Sequence, residues 1–175
     1  MGKRGDAGMA RIYGFPPVDA PDATMLILGS MPSVQSLQAE FYYAHPQNAF
    51  WRILSDIWAC PLPQSVAEKK RMLIDHGVAL WDSAGSCERQ GSLDSAMRNV
   101  AVNDFAPLFA RCPHIERIFF NGQTAQKLFL RGARPFLEGR RAFLLPSTSP
   151  AHTLKYADKL AAWRRAILDS EGVEV

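Results

Sequence analysis

Residues 26–54, LILGSMPSVQSLQAEFYYAHPQNAFWRIL, constrain this chain more than any other stretch. The apolar run from Met25 to Leu28 stops at Gly29 and opens into a polar loop laced with aromatics, which feeds a periodic helix. Strand, glycine turn and long loop before a helix put a ligand site beyond the carboxyl end of a sheet strand. Two tyrosines, a His-Pro pair and an asparagine crowd residues 42–48. Loops are ordinarily built from small polar residues, so these rings need something to pack on.

The rest of the chain alternates strands and helices around that stretch. Continuous apolar residues over 24–29 predict a strand covered on both faces, as in a parallel sheet. Phe50, Ile53, Leu54, Ile57 and Trp58 then form the stripe of a core-facing helix that ends near Cys60-Pro61-Leu62-Pro63. Ser65 caps a second helix running to His76 and closed by Gly77. Further strands are expected over 78–82 (VALWD), 117–120 (RIFF) and 141–145 (RAFLL), with helices over 104–111, 123–130 and 155–169. The last helix sets Tyr156, Leu160, Trp163 and Ile167 on one stripe and Lys155, Lys159, Arg164 and Arg165 outside it. Residues 11–18 end in Gly-Phe-Pro-Pro and read as an extended arm; residues 83–100 read as a loop with one helical turn.

This pattern predicts an α/β fold: one three-layer α/β/α domain over residues 11–175, with a central, largely parallel four-stranded sheet. Residues 1–10 read as a loose tail. In such a sheet the loops 29–48, 82–86 and 146–152, together with Asn121, share one rim and converge on one pocket.

Composition narrows the chemistry. With 175 residues, 47% hydrophobic and 21% charged, the chain suits one soluble domain with a substantial core. No apolar run approaches the roughly 18 residues that cross a bilayer, so no membrane partner is expected. Cys60, Cys87 and Cys112 are odd in number and far apart, which fits idle thiols in a reducing compartment. Four histidines lack metal-ligand spacing, and no phosphate-binding glycine loop, dinucleotide motif or Gly-x-Ser-x-Gly elbow occurs, so neither metal nor cofactor is expected. Charge is uneven: residues 1–110 carry 9 Lys and Arg against 11 Asp and Glu, and residues 111–175 carry 11 against 6. That asymmetry suits a surface meeting an anion, nucleic acid being the common case.

Most marked residues have a bland reading beside the functional one. Asn48 is a good helix cap, and a cap also sits at the positive end of the helix dipole, so both roles are compatible. Tyr42 and Tyr43 could roof the core, and Phe50 and Trp51 lie on or beside the helix stripe. His45 before Pro46 reads as a satisfied loop histidine. Asn121, an amide closing an apolar strand, is half-buried and must find partners.

Four motifs in order carry a resemblance. They are Gly29-Ser30-Met31-Pro32-Ser33, then Tyr42-Tyr43-Ala44-His45-Pro46-Gln47-Asn48-Ala49-Phe50-Trp51, Phe120-Asn121-Gly122, and Pro146-Ser147-Thr148-Ser149-Pro150-Ala151. Together they resemble the uracil-DNA glycosylase superfamily, most closely its hypoxanthine-DNA glycosylase branch. The resemblance implies a DNA-repair enzyme that hydrolyses the N-glycosidic bond of a flipped-out deaminated nucleotide, hypoxanthine being the leading base. Its partner is DNA containing deaminated bases, and the expected protein is a cytoplasmic, nucleoid-associated monomer. The His-Pro-x-Asn-x-Phe-Trp run also matches the branch acting on mismatched uracil and thymine. One departure matters: Met31 stands where most of the superfamily has the Asp or Asn that orients the attacking water, and a thioether cannot do so. The resemblance moves that role to Asn48; a damage-binding protein without catalysis is the other reading of Met31. Tyr43 would stack on the base, with Met31, Asp82, Ser83 and Asn121 as further base contacts. Gly29, Ser30, Pro32, Ser33, His45 and Phe50 would shape the pocket, and Ser147, Thr148, Ser149, Pro150 and His152 would grip the flanking phosphates.

Overall fold

A computed structural model describes residues 10–175; the expected tail, apart from Ala10, lies outside the described residues. In chain order the elements are β1 (Arg11–Tyr13), β2 (Met25–Gly29), α1 (Val34–Ala39), α2 (Phe50–Trp58), α3 (Val66–Asp75) and β3 (Val78–Asp82). Then follow β4 (Ala84–Glu88), β5 (Arg98–Val102), α4 (Ala106–Arg111), β6 (Arg117–Asn121), α5 (Gln123–Gly132), β7 (Arg141–Leu145), α6 (Tyr156–Asp169) and β8 (Val173–Glu174). Short 3-10 turns occupy Asp94–Ala96 and Arg134–Leu137.

The main sheet has the order β3-β2-β6-β7-β8. Its first four strands are parallel, as the apolar runs predict, while two-residue β8 adds an antiparallel edge and makes the sheet mixed. Successive strand residues face opposite sides. Ile27, Leu80, Phe119 and Phe143 join Phe50, Ile53 and Leu54 of α2, Leu73 of α3 and Trp163 of α6 in one core. Leu26, Leu28, Ile118 and Phe120 join Leu108 of α4 and Phe129 of α5 in the other. Helices thus cover both faces. Burial of both sides explains why these strands are apolar throughout rather than alternating.

Local signals set the helix ends. Ser65 caps α3, its hydroxyl accepting the Glu68 amide at 3.1 Å. The α2 stripe is buried through Phe50, Ile53, Leu54 and Ile57, whereas Trp58 is half-buried and stacks on His76 at 3.9 Å. Ala59 closes α2 in the left-handed region, ahead of Cys60 and Pro61.

Three expectations need correction. The stretch 83–100 is not a loop: it supplies β4 and most of β5, which pair with β1 in a separate antiparallel sheet ordered β1-β4-β5. Its apolar partners, Met31 and Leu128, come from elsewhere in the chain, so no local periodicity announces it. The 29–48 loop contains α1, whose N-cap Ser33 accepts the Ser36 amide at 3.1 Å. Lys159 does not lie outside the α6 stripe but is buried, only 5% exposed, with Nζ donating to the Ser149 carbonyl at 3.1 Å.

Candidate active site

The carboxyl ends of β2, β3, β6 and β7 open onto one cavity of about 890 Å3. Its walls include Gly29, Ser30, Met31, Pro32, Ser33, Tyr43, His45, Asn48, Asp82, Asn121, Ser147, Thr148, Ser149, Pro150 and His152. Parallel pairing accounts for much of this convergence, because Gly29 and Asp82 end β2 and β3 as direct register partners.

Gly29 is glycine for a steric reason. A Cβ there would stand 2.5 Å from Asp82 Oδ1 and 2.6 Å from the Tyr43 hydroxyl, so both oxygens close over the bare backbone. Asp82 is 3% exposed, and its Oδ2 has no hydrogen-bond partner. Burial chiefly, with the Asp94 charge adding and Arg89 opposing, lifts the Asp82 carboxyl from its ordinary value to about 7. The Tyr43 hydroxyl is likewise buried and unpartnered, and burial followed by the Asp82 charge pushes it far above the usual phenol range. The Tyr43 ring packs on Phe50, with centroids 4.0 Å apart and planes 25° off parallel. Phe50 itself is fully buried and acts as a backing for Tyr43 rather than as a pocket wall. Tyr42 roofs the core, its hydroxyl donating to the Pro16 carbonyl at 2.7 Å.

Ahead of α2, Asn48 Oδ1 accepts the Phe50 amide at 3.0 Å, which leaves the second lone pair and the amide group of a pocket-lining residue. His45 sets the turn before it: Nδ1 accepts the Gln47 amide and the His45 carbonyl accepts the Asn48 amide. The Asn121 carboxamide clasps Thr148, accepting its backbone amide at 2.9 Å and donating to its hydroxyl at 2.9 Å. The remaining N–H of Asn121 makes no hydrogen bond of normal geometry among the described residues, although the amide stands close enough to the Tyr43 hydroxyl to favour its ionisation against burial. The loop after β7 is held again by the Ala49 amide on the Thr148 carbonyl and by Trp163 Nε1 on the Pro146 carbonyl. Gly122 lets this loop approach, since a Cβ there, on a backbone with φ of 94°, would meet Ser147 Cβ at 3.1 Å.

Besides Phe50, Ser83 leaves the cavity wall, and Thr148 stays in it without the expected phosphate role. Ser83 is fully buried and donates its hydroxyl to the Ala125 carbonyl at 2.7 Å, so it ties β3 to α5 instead of facing the cavity. Thr148 borders the cavity, but its 1% exposure and its bonds to Asn121 remove it from the surface that could grip a phosphate. Met31 stays in the cavity wall while packing with Ala84, Cys87, Met97 and Leu128, which gives the thioether a reason to be there. Sequence reasoning missed the wall made by Ser92, Leu93, Asp94 and Ser95, between β4 and β5. It is pinned by the Ser30 hydroxyl on Asp94 at 2.7 Å and by the Val34 amide on Ser92 at 2.9 Å.

The basic surplus of the last third is not a single patch. Arg117 and Arg141 begin β6 and β7, at the end of the sheet opposite the cavity. There Arg117 donates to the carbonyls of Ala166 and Ile167, and Arg141 pairs with Glu174. Among the described residues, no helix is long and apolar enough to cross a membrane.

A family model of the Uracil DNA glycosylase superfamily matches residues 16–170. The chain belongs to the uracil-DNA glycosylase superfamily. Within it, the chain stands close to the hypoxanthine-DNA glycosylase branch. It is 34% identical, over 86% of its length and 94% of the relative's, to a hypoxanthine DNA glycosylase of Methanosarcina acetivorans. A hypoxanthine DNA glycosylase of Methanosarcina barkeri is 31% identical, with 87% and 96% of the two chains covered. The solution NMR structure of a candidate uracil DNA glycosylase from Methanosarcina acetivorans superposes with a TM-score of 0.77 at 30% identity. That match covers 90% of this chain and 97% of the other.

Proposed function

We propose that this protein is a DNA glycosylase that releases hypoxanthine from deoxyinosine by hydrolysing the N-glycosidic bond of a flipped-out nucleotide. The observation that carries the reading is the convergence of Tyr43, Asn48, Asp82 and Asn121 on one cavity in a chain of this superfamily. A base inside a duplex is out of reach, so it must leave the stack at a cost of a few kcal/mol, less when it is mispaired. Tyr43, backed by Phe50, offers the face for a planar base. The uncommitted N–H of Asn121 reads an acceptor on its edge. As the bond breaks the sugar gains cationic character, and a water held on the far side by Asn48 Oδ1 adds to C1′. The oxygen needs no strong base, since its task is to orient the water. Ser147, Ser149, Pro150 and His152 rim the opening, where the serine hydroxyls hold the flanking phosphates.

Incubation with inosine-containing duplexes, followed by alkaline cleavage of abasic sites, tests the reading. Strand scission at inosine is expected, and its absence for inosine, uracil and xanthine alike would remove the activity. Asn48→Ala should lower turnover at least about 100-fold while DNA binding persists; full turnover would reassign the water. A second reading, excision of uracil or thymine opposite guanine, is favoured by the His45-Pro46-Gln47-Asn48-Ala49-Phe50-Trp51 run and by the solved relative described as a candidate uracil glycosylase. Release rates for inosine and for uracil opposite guanine, compared on one preparation, separate the two.

A further inference from the structure

The cavity contains a carboxyl group that the hydrolysis above does not use. Asp82 closes β3 beside Gly29 and is only 3% exposed, and among the described residues its Oδ2 has no hydrogen-bond partner. A buried polar group without a partner costs free energy, so a carboxyl kept in this position needs a partner that the described residues do not supply. Its neighbours do not fill that need. The Tyr43 hydroxyl, across the bare Cα of Gly29, has no partner either. Asp94 bonds Ser30, and Arg89 directs its Nη2 to the Pro32 carbonyl, while its buried Nε and Nη1, like the carboxyl, make no hydrogen bond among the described residues. Asn121 gives its carbonyl oxygen and one N–H to Thr148, and its second N–H is the one assigned above to the base edge.

We propose that Asp82, in its protonated form, is the acid that protonates the departing purine at N7, and that this donor favours hypoxanthine over uracil as the leaving base. The assignment rests on the glycosylase reading of the same cavity. When the C1′–N9 bond breaks, its electron pair passes into the imidazole ring, and N7 shares the resulting negative charge. The Asp82 O–H bond then breaks, its proton moves to N7, and neutral hypoxanthine leaves. The water oxygen bonds to C1′ and one water proton passes to solvent, from which the Asp82 carboxylate is later reprotonated. Atoms and charge balance without a further reactant. Uracil has no imidazole ring and leaves through N1, so the same donor gives it little help. An ionised carboxylate would instead repel the charge growing on the base, and burial makes the neutral form accessible at physiological pH. The charged groups facing Asp82 are Asp94, which favours its protonation, and Arg89, which opposes it; Tyr43 is neutral there.

The test is single-turnover release of hypoxanthine and of uracil by the full chain and by Asp82→Asn, from pH 5.5 to 9, with thermal unfolding of both proteins as a control. Wild-type release of hypoxanthine should fall about tenfold per pH unit above roughly pH 7. In Asp82→Asn that alkaline limb should vanish, with hypoxanthine release about 100-fold slower at pH 6 and uracil release within a few-fold of wild type. A wild-type profile without the limb overturns the assignment whether or not the variant folds. So does a variant that keeps the limb, or one that loses hypoxanthine and uracil release equally. Failure of the wild type to release hypoxanthine at any pH refutes the glycosylase reading itself, and is distinct from these outcomes.

Discussion

At the scale of single residues, the site is made of groups whose ordinary behaviour has been changed by where the backbone puts them. Asp82 shows this most clearly. Its carboxyl value of about 7 lies above the ordinary 3.8 because burial penalises the charge. The folded protein therefore holds the proton more tightly than the unfolded chain between those two values. Stability is expected to fall as pH rises from about 4 to 7 and to level off above, by an amount on the order of 4 kcal/mol from this residue. Asp82→Asn should flatten that decline, which melting temperatures of both proteins across pH 4–8 would measure; parallel curves would show that Asp82 ionises normally. Much of this residue scale was legible beforehand. Asn48, Asp82 and Asn121 stand at a helix start or at strand ends, where polar residues next to apolar runs attract attention, and Tyr43 stands out as a ring in a polar loop. Ser83 could not be told apart in this way, because a serine one place past a strand end looks the same in sequence whether it faces a cavity or a helix.

Elements show how the cavity is held in shape. Two connections do this: the clasp of Asn121 on Thr148 joins β6 to the loop after β7, and the Ser83 hydroxyl joins β3 to α5. Ser83→Ala is expected to cost about 0.5–1.5 kcal/mol through loss of the hydroxyl's bond to the Ala125 carbonyl, which keeps its helical donor. Release of hypoxanthine per folded molecule should be unchanged; a selective loss of activity without loss of stability would return Ser83 to the base-binding set. The helices and parallel strands were readable from their periods, since a stripe of Phe50, Ile53, Leu54 and Ile57 encodes its own burial. Strands β4 and β5 were not. Their sequences, AGSCE and RNVAV, carry little apolar alternation, and their partners, β1 for β4 and β4 for β5, are not announced by any local pattern.

Across the whole molecule, the question is how a chain of formal charge +3 meets a polyanion. Several arginines of the last third are committed to carbonyls and carboxylates at the end of the sheet away from the cavity. Lys155 is exposed just beyond His152, on the rim side. Lys155→Ala should therefore weaken binding to any duplex and reduce the slope of log affinity against log salt by about 1. Arg141→Gln should leave that slope unchanged, and equal effects of the two substitutions would spread the DNA contact over the entire basic third. By itself, the sequence determined the parallel strands, the helix stripes and the run of polar residues at the strand ends, because those depend on the spacing of neighbours along one element. Only the tertiary structure decided which residues share the cavity, that Asp94 and Leu93 wall it, and that Lys159 is buried beneath its loop. Burial and partnership at those positions come from segments tens of residues apart, and no local pattern records such neighbours. The stretch from Gly29 to Asn48 shows both: its aromatics were visible as a cluster in need of packing, but Phe50 behind Tyr43 and Asp82 across Gly29 appear only once the sheet has formed.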